Sequence, residues 1–524
     1  MDTKQRVFLN CLYNVAGRGF AFVISLFLIP FMVDRLGKGA FAIVPLVMYS
    51  ILPFLELFTS GVATSVGRYV TLHRARREID EANRYFSTSF FLLVGLCLVA
   101  TLPILAMSYY FPTILRVEPG WEIRSRWTML LAGVSFFVTA LSSPFGAGMY
   151  YRERFDLRNL FYVAGLLGKV TTVVLLFSLI GANTIYVALG MIAAASVQGV
   201  ANLLTGYRML PGLKTSWHLF SKQKMREVAA FSFYLLISKI STLLFIATDI
   251  VLINWFIGNE EVTTYNFGAQ VARLMRGFAE TSVYALGPLL TSFYATAQEE
   301  RLRGVLLKAT RVMHLIVAPT SIFLCVLAIP FMTAWIGHVK GVDEATIRQA
   351  VSVLWVLVLP AVVNLSVMPA FSMFLAMGRV QGVAFVSLGA AVANVGLSLW
   401  LALSLRLGIV GIALGSTICL LGKNTVYVPW YACRICKIKL REYFRLFPGP
   451  ILACVPGAAI ALLLQYLFVL QTWPAVILLG ILCFASYALL IYLWSLSDEE
   501  KSELSAIWSQ VRKMLNRGKE KTSD

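Results

Sequence analysis

Nine ionisable side chains interrupt long apolar runs: Arg18, Glu56, Lys169, Lys239, Asp249, Arg273, Arg276, Glu280 and Lys423. In a lipid environment each would cost about 2.5 to 3.5 kcal/mol when central and lipid-facing, on the order of 25 kcal/mol together. Such residues must therefore face a protein interior or a watery cavity. Six are basic and three acidic, so the space they line is cationic and suits an anionic ligand.

Helical spacing sorts these residues onto faces. Asn10, Asn14 and Arg18 follow one another at four-residue intervals, and Lys239, Thr242 and Asp249 share a face. Asn266, Gln270, Arg273, Gly277, Glu280 and Tyr284 form a third stripe, with Arg276 alongside and four residues before Glu280. That last spacing also fits a structural ion pair. Lys423 stands near the end of its run, where its stem can snorkel. Asp249, Glu56 and Glu280 are candidates for ion coupling or for salt bridges.

The elements that must carry these residues are membrane helices. The chain has 524 residues, of which 59% are hydrophobic and 14% charged, which excludes a soluble protein. Runs of about 20 mainly apolar residues mark spans. Fourteen are present, near 7 to 33, 40 to 66, 86 to 110, 127 to 150, 160 to 180, 184 to 207, 228 to 257, 262 to 296, 309 to 336, 347 to 377, 380 to 404, 409 to 431, 447 to 470 and 473 to 494. The first carries Lys4 and Arg6 like a signal peptide, but it is long and interrupted by Asn10, Asn14 and Arg18, so a retained span is expected.

Short loops rich in Lys and Arg stay cytosolic. With both termini inside, cytosolic segments hold 31 of the 45 basic residues, external loops 8 and spans 6. The net charge of +19 then divides into +15 cytosolic, +1 external and +3 within spans. Topology and inner-leaflet contact account for most of it, with no need for a nucleic acid partner. The eight cysteines fall within spans or on the cytosolic side, so no external disulfide forms. Cys433 and Cys436 form a lone pair without nearby histidine, and neither a metal site nor a cofactor is expected.

Landmarks recur at nearly constant offset. Glu56 matches Glu280, Pro144 matches Pro369, Gly37 matches Gly258, and Ala188-Leu189-Gly190 matches Ala413-Leu414-Gly415. Two six-span lobes follow, 1 to 217 and 218 to 440, related by a parallel repeat about an axis along the membrane normal. Residues 441 to 496 hold an appended pair of spans. In 497 to 524, the capping-box pattern Ser497 to Glu500 precedes an apolar face of Leu504, Ile507, Trp508, Val511 and Leu515 and a basic end, the pattern of an amphipathic helix on the inner leaflet.

The motifs resemble those of a known family. Asn14, Pro30-Phe31-Met32-Val33-Asp34-Arg35-Leu36-Gly37 with Phe41, Leu55-Glu56-Leu57 and Arg68-Tyr69-Val70 are similar to the first two spans of bacterial polysaccharide flippases. Asp249 to Ile253 with Ile257-Gly258 and Tyr265, Arg154 to Asn159 after Pro144, and Gly408 to Gly415 continue the resemblance, which covers most of residues 7 to 445. The chain departs from the pattern at Phe58, where the family often has Gly, and at Glu56, where Asp is usual.

The resemblance implies an all-α polytopic fold in the multidrug/oligosaccharidyl-lipid/polysaccharide exporter superfamily, with two lobes in a V around a central cavity that opens alternately to either side. It implies flipping of an isoprenoid-pyrophosphate-linked oligosaccharide, an O-antigen or other polysaccharide repeat unit, across the bacterial inner membrane. Arg18, Arg273 and Arg276, with Lys169 and Lys239, would attract the pyrophosphate, while Asn14 and Gln270 would hydrogen-bond sugar or phosphate. A proton gradient, a sodium gradient or the membrane potential would drive the step, and the polysaccharide polymerase machinery is a candidate partner.

Three other readings stand beside this one. A lipid II flippase shares the fourteen spans and the cationic cavity. A cation-coupled drug exporter suits a cationic cleft poorly and lacks the last two spans. A membrane glycosyltransferase or polymerase needs carboxylates or a large loop outside, and the longest external loops are only about 15 residues, far shorter than a catalytic insertion, so no enzyme is expected.

Overall fold

A computed structural model describes residues 3–152, 154–284, 286–468, 470–496 and 501–502. The side chains of Asn10, Asn14, Arg18, Lys239, Thr242 and Tyr284 lie outside the described set, as do residues 497–500 and the expected amphipathic tail 503–524.

The described chain is helical with no strand. In hydrocarbon every backbone amide needs an internal partner, and a helix provides one within its own segment. The long helices, in chain order, are α1 (Thr3–Leu36), α2 (Lys38–Arg74), α3 (Ile79–Ile114), α4 (Glu122–Tyr151), α5 (Phe155–Leu179), α6 (Thr184–Met209), α7 (Lys222–Leu252), α8 (Asn259–Tyr284), α9 (Glu299–Val326), α10 (Glu344–Asn364), α11 (Gln381–Ser404), α12 (Gly408–Cys436), α13 (Leu440–Leu467) and α14 (Trp473–Ser495).

Twelve of these are long and apolar enough to cross a membrane. The other two, α7 and α8, stand where the seventh and eighth spans were expected, with 31 and 26 residues. α8 falls short on apolarity because it carries Arg273, Arg276 and Glu280, while the end of α7 and its π turn form an apolar stretch, Leu243–Ile257. The protein is a multi-pass membrane protein.

Helix packing repeats along the chain. α1 packs on α5, α5 on α6 and α4 on α6. The same scheme returns as α7 on α11, α11 on α12 and α10 on α12. The two halves meet crosswise, α2 against α7 and α1 against α8. Both halves also break at matched prolines: α4 turns through Ser143–Gly146, and α10 gives way to a separate helix, Met368–Ala376, with Pro369 in its first turn. α13 and α14 pack on α9, and α14 also packs on its continuation Ala328–Ile336.

The seam between halves is apolar at its centre. Leu28, Met32, Val33 and Leu36 of α1 cluster with Phe267, Val271 and Met275 of α8 and with Trp335. Trp335 is 1% exposed, and its indole donates to the Leu26 carbonyl at 2.7 Å. This satisfies the one polar atom of the largest buried side chain.

Among the described residues five π turns interrupt the helices, at Leu46–Ile51, Ile253–Ile257, Trp400–Ser404, Gly422–Tyr427 and Ile491–Ser495. Each inserts a residue into the helical repeat and so rotates the side chains that follow it, a device common at functional sites. Three of them carry Met48 and Tyr49, Asn254 and Trp255, and Lys423 and Asn424, all of which recur below.

Candidate functional site

The polar stripe expected on α8 meets the first half at one aromatic residue. Tyr49, placed by the π turn in α2, donates its hydroxyl to Gln270 Oε1 at 3.2 Å. The Arg273 guanidinium lies over the Tyr49 ring, 4.1 Å from its centroid, and donates to Gln270 Oε1 at 2.9 Å and to Asn266 Oδ1. Its described partners are thus neutral acceptors and a ring face, with its positive charge left uncancelled. Gln270 and Arg273, both expected as ligand-binding residues, therefore form one group on the seam.

Arg276 pairs with Glu280 at 2.8 Å, four residues along the same helix. This is the ion-pair alternative for these two. Lys423 differs from expectation. Instead of snorkelling it sits inside the second half, with its ammonium 5.7 Å from the Phe245 ring and 5.4 Å from the Phe371 ring, and it donates to Ser387 Oγ at 3.4 Å. The π turn Gly422–Tyr427 turns it inward, within electrostatic reach of Arg276.

Asp249 occupies a separate pocket of the second half. It is 3% exposed. The Tyr265 hydroxyl donates to one carboxylate oxygen at 2.8 Å, and Ser416 Oγ lies 2.8 Å from both. Asn394 Oδ1 lies 3.1 Å from Ser416 Oγ and accepts from Ser398 Oγ at 3.0 Å. The described partners of this carboxylate are hydroxyls, so the salt-bridge alternative is not the arrangement found. Among the described residues no group of three or more His, Cys, Asp or Glu is placed to hold a metal.

Lys169 lies in the first half, on α5, its Nζ 3.6 Å from Met48 Sδ of α2. It does not join the α8 group. Glu56 is exposed on α2. The side chains of Arg18, Asn14 and Lys239 are outside the described set.

A second polar array joins the halves at the end of the bundle away from residue 3, here the distal end. Asn254 is fully buried. It accepts from the Arg116 amide at 2.8 Å and donates to the Arg116 carbonyl at 2.9 Å. Trp255 Nε1 donates to the Ile114 carbonyl at 2.7 Å, Asn259 Nδ2 to the Gly39 carbonyl at 2.7 Å, and Thr263 Oγ1 to the Lys38 carbonyl at 2.6 Å. Lys38 in turn reaches Glu260 at 3.5 Å. These bonds close the halves together at that end.

At the opposite, proximal end α2 and α3 meet α7. Ser65 and Ser232 hydroxyls are 3.2 Å apart, Arg68 stacks on Phe231 at 4.7 Å, and Lys224 pairs with Glu81 at 2.9 Å.

Tyr265 stands in the motif that follows Asp249, but sequence spacing does not single out Tyr49, Asn394, Ser416, Asn254 or Asn259. A usable signal is present for one of them: Asn394 stands four residues before Ser398 in a mainly apolar run.

Two similarly built halves around interior charges, helical among the described residues, define a polytopic membrane protein with a repeated helical fold. Its fold is similar to that of a multidrug resistance MATE family transporter of the MOP superfamily in an inward-facing conformation, with TM-score 0.67, 15% identity, and coverage of 82% of this chain and 99% of that one. It is equally similar to the lipid II flippase MurJ in an inward closed conformation, with TM-score 0.67, 14% identity, and coverage of 93% and 99%.

A profile of the polysaccharide biosynthesis protein family matches residues 4–294, and the chain belongs to that family. It is 26% identical over 492 residues to the uncharacterized membrane protein EpsK of Bacillus subtilis (strain 168), covering 93% of this chain and 96% of that one.

Proposed function

We propose that the protein flips a polyprenyl-pyrophosphate-linked oligosaccharide from the cytosolic to the external leaflet of a bacterial cytoplasmic membrane by alternating access. The observation that carries this reading is the basic group at and beside the seam. Arg273 is held by neutral partners, Arg276 has a single partly exposed carboxylate partner, and Lys423 is enclosed by aromatic rings and a hydroxyl. Positive charge presented in a low-dielectric interior attracts a pyrophosphate and discriminates against cationic drugs. Membership in a polysaccharide biosynthesis family supports the glycan.

In this reading all fourteen helices span, both termini are cytosolic, and the distal end is external. Residues 1 to 217 and 218 to 440 form the two rocking lobes, with 441 to 496 attached to the second. The distal latch closes the external side while the polyprenyl tail stays in lipid. Arg18, Lys239 and Asn14 join the described cations in binding, and Gln270 positions Arg273.

Asp249 takes the coupling role. Its carboxylate with the Tyr265, Ser416 and Ser398 hydroxyls and the Asn394 carboxamide offers oxygen ligands suited to a sodium ion, or a carboxylate able to hold a proton. An inside-negative potential adds about 2.3 kcal/mol per charge per 100 mV to outward movement of the pyrophosphate.

The test is complementation of a strain lacking its own flippase. Arg18→Ala, Arg273→Ala and Arg276→Ala variants, present at normal level, are expected to fail to restore surface polysaccharide. Full restoration by the Arg273 and Arg276 variants together would sink the cationic-site reading. Rescue of cell-wall synthesis in a strain depleted of its lipid II flippase would assign the other cargo.

A further inference from the structure

The Asp249 pocket has a counterpart in the first half, and the two are chemically opposite. The helix pairs α5–α6 and α11–α12 keep one sequence offset at the positions compared, which lie outside the π turns Trp400–Ser404 and Gly422–Tyr427. Ala188-Leu189-Gly190 and Ala413-Leu414-Gly415 stand 225 residues apart. The packing agrees with that register. A Cβ on Gly190 would meet Val173 at 2.9 Å, and one on Gly415 would meet Ser398 backbone at 2.7 Å. Val173 and Ser398 also stand 225 apart.

The register pairs Asn394 with Lys169, Ser398 with Val173 and Ser416 with Met191. Counting back from Gly37 and Gly258, and allowing for the residue that the π turn after α7 inserts, pairs Asp249 with Ile29.

In the second half these four positions carry a carboxylate, a carboxamide and two hydroxyls in mutual contact. In the first half three are carbon or thioether side chains, with Ile29 and Val173 buried in the core. The fourth is an ammonium. Lys169 Nζ has the Met48 thioether at 3.6 Å as its described contact, and a thioether is a weak acceptor. No ligand set for a cation remains there, and a cation is built in.

We propose that the Lys169 ammonium is a resident substitute for the cation that the second half exchanges. The first half is held in the cation-occupied arrangement throughout the cycle, and only the Asp249 pocket loads and unloads, so one cation moves per turnover. This rests on the coupling role given to Asp249 above.

The test uses inverted membrane vesicles that make the native lipid-linked glycan from radiolabelled nucleotide sugars, with sodium or pH steps imposed across the membrane. Lys169→Met, Lys169→Arg and Asp249→Asn are compared with the unaltered protein. Methionine fills the site without charge. Lys169→Met is expected to lose about tenfold in flipping rate while its melting temperature in detergent stays equal or rises, since a buried charge has been removed. Lys169→Arg, which keeps the charge, is expected to exceed Lys169→Met by about tenfold. The rate should rise with the coupling cation with a Hill coefficient of about one, as a single site requires.

A Lys169→Met rate equal to that of the unaltered protein would overturn the proposal. So would a Lys169→Met melting temperature that falls with the rate, because the residue would then be packing, and so would a Hill coefficient near two. If Asp249→Asn keeps full cation dependence, the Asp249 assignment fails, and with it the one-cation cycle. The two Lys169 variants then decide separately whether the first half requires its charge.

Discussion

The guanidinium of Arg273 in the second half lies on the ring of Tyr49 in the first, 4.1 Å from the centroid, and both side chains bond the same amide oxygen of Gln270. A cation on a desolvated ring is worth about 2 kcal/mol, and here it also bridges the halves. Tyr49→Phe keeps the ring and removes the hydroxyl bond, so polysaccharide export should fall by less than about threefold. Tyr49→Leu removes both and should cost about tenfold or more. The measurement is surface polysaccharide at matched protein level, and equal export by the two variants would refute the role of the ring.

Asn254 should set the balance between the two openings. Replacing it with Ala removes both bonds to the Arg116 main chain, at about 0.5 to 1.5 kcal/mol for each. The distal seam then opens more of the time. Cysteines placed at Gly39 and Arg116 should label faster from outside in Asn254→Ala than in the parent, and unchanged labelling would count against the latch.

The Arg276 and Glu280 pair is partly exposed, and such a pair contributes only about 0 to 1 kcal/mol. Arg276→Gln and Glu280→Gln should therefore melt alike. Export should separate them, falling strongly in Arg276→Gln and little in Glu280→Gln. Equal loss in both would mean that the pair acts as a unit.

Gly415 should be intolerant of a side chain. A Cβ there would stand 2.7 Å from the Ser398 backbone, forcing α11 and α12 apart beside the Asp249 pocket. Overpacking of this kind costs about 1 to 3 kcal/mol. Gly389→Ala, on the same helix pair with nothing within 4 Å of the added carbon, is the control and should melt within a degree or two of the parent, roughly the spread of a neutral surface change. A comparable fall in both would show that the helix contact is not the cause.

His314 ties the appended pair to the second half. Its Nε2 donates to the Phe447 carbonyl at 3.0 Å, just before Pro448, and its Nδ1 meets the Ser366 hydroxyl at 2.9 Å. His314→Ala should deprive the Phe447 carbonyl of this donor, at about 1 to 3 kcal/mol, while Ser366 keeps its bond to the Val362 carbonyl. A protease site engineered between Tyr443 and Pro448 should be cut faster in this variant, and an unchanged rate would argue against the tether.

Much of the architecture could be read before any coordinates. Twenty-residue apolar runs announce helices, and the matched Gly37/Gly258 and Pro144/Pro369 positions announce two similar halves. The stripe on α8 was legible because it lies in regular helix, where 3.6-residue spacing holds. Tyr49 and Lys423 escaped for a definite reason. Each sits in a π turn, and one inserted residue rotates the following side chains off the face that regular spacing assigns. Asp249 was found as a charge, but its partners come from three other helices with no spacing in common.

The distal latch has a lopsided construction. Asn254, Trp255, Asn259 and Thr263 supply side chains, and Lys38 adds its ammonium to Glu260, while Gly39, Ile114 and Arg116 supply only main chain. A contact that reads main chain is indifferent to the identity of the residue it holds. The first half can drift in sequence at these positions and still be gripped, whereas a single codon change in the second half loosens the closure. Heritable changes in how readily the protein opens outward should therefore map to one half of the gene.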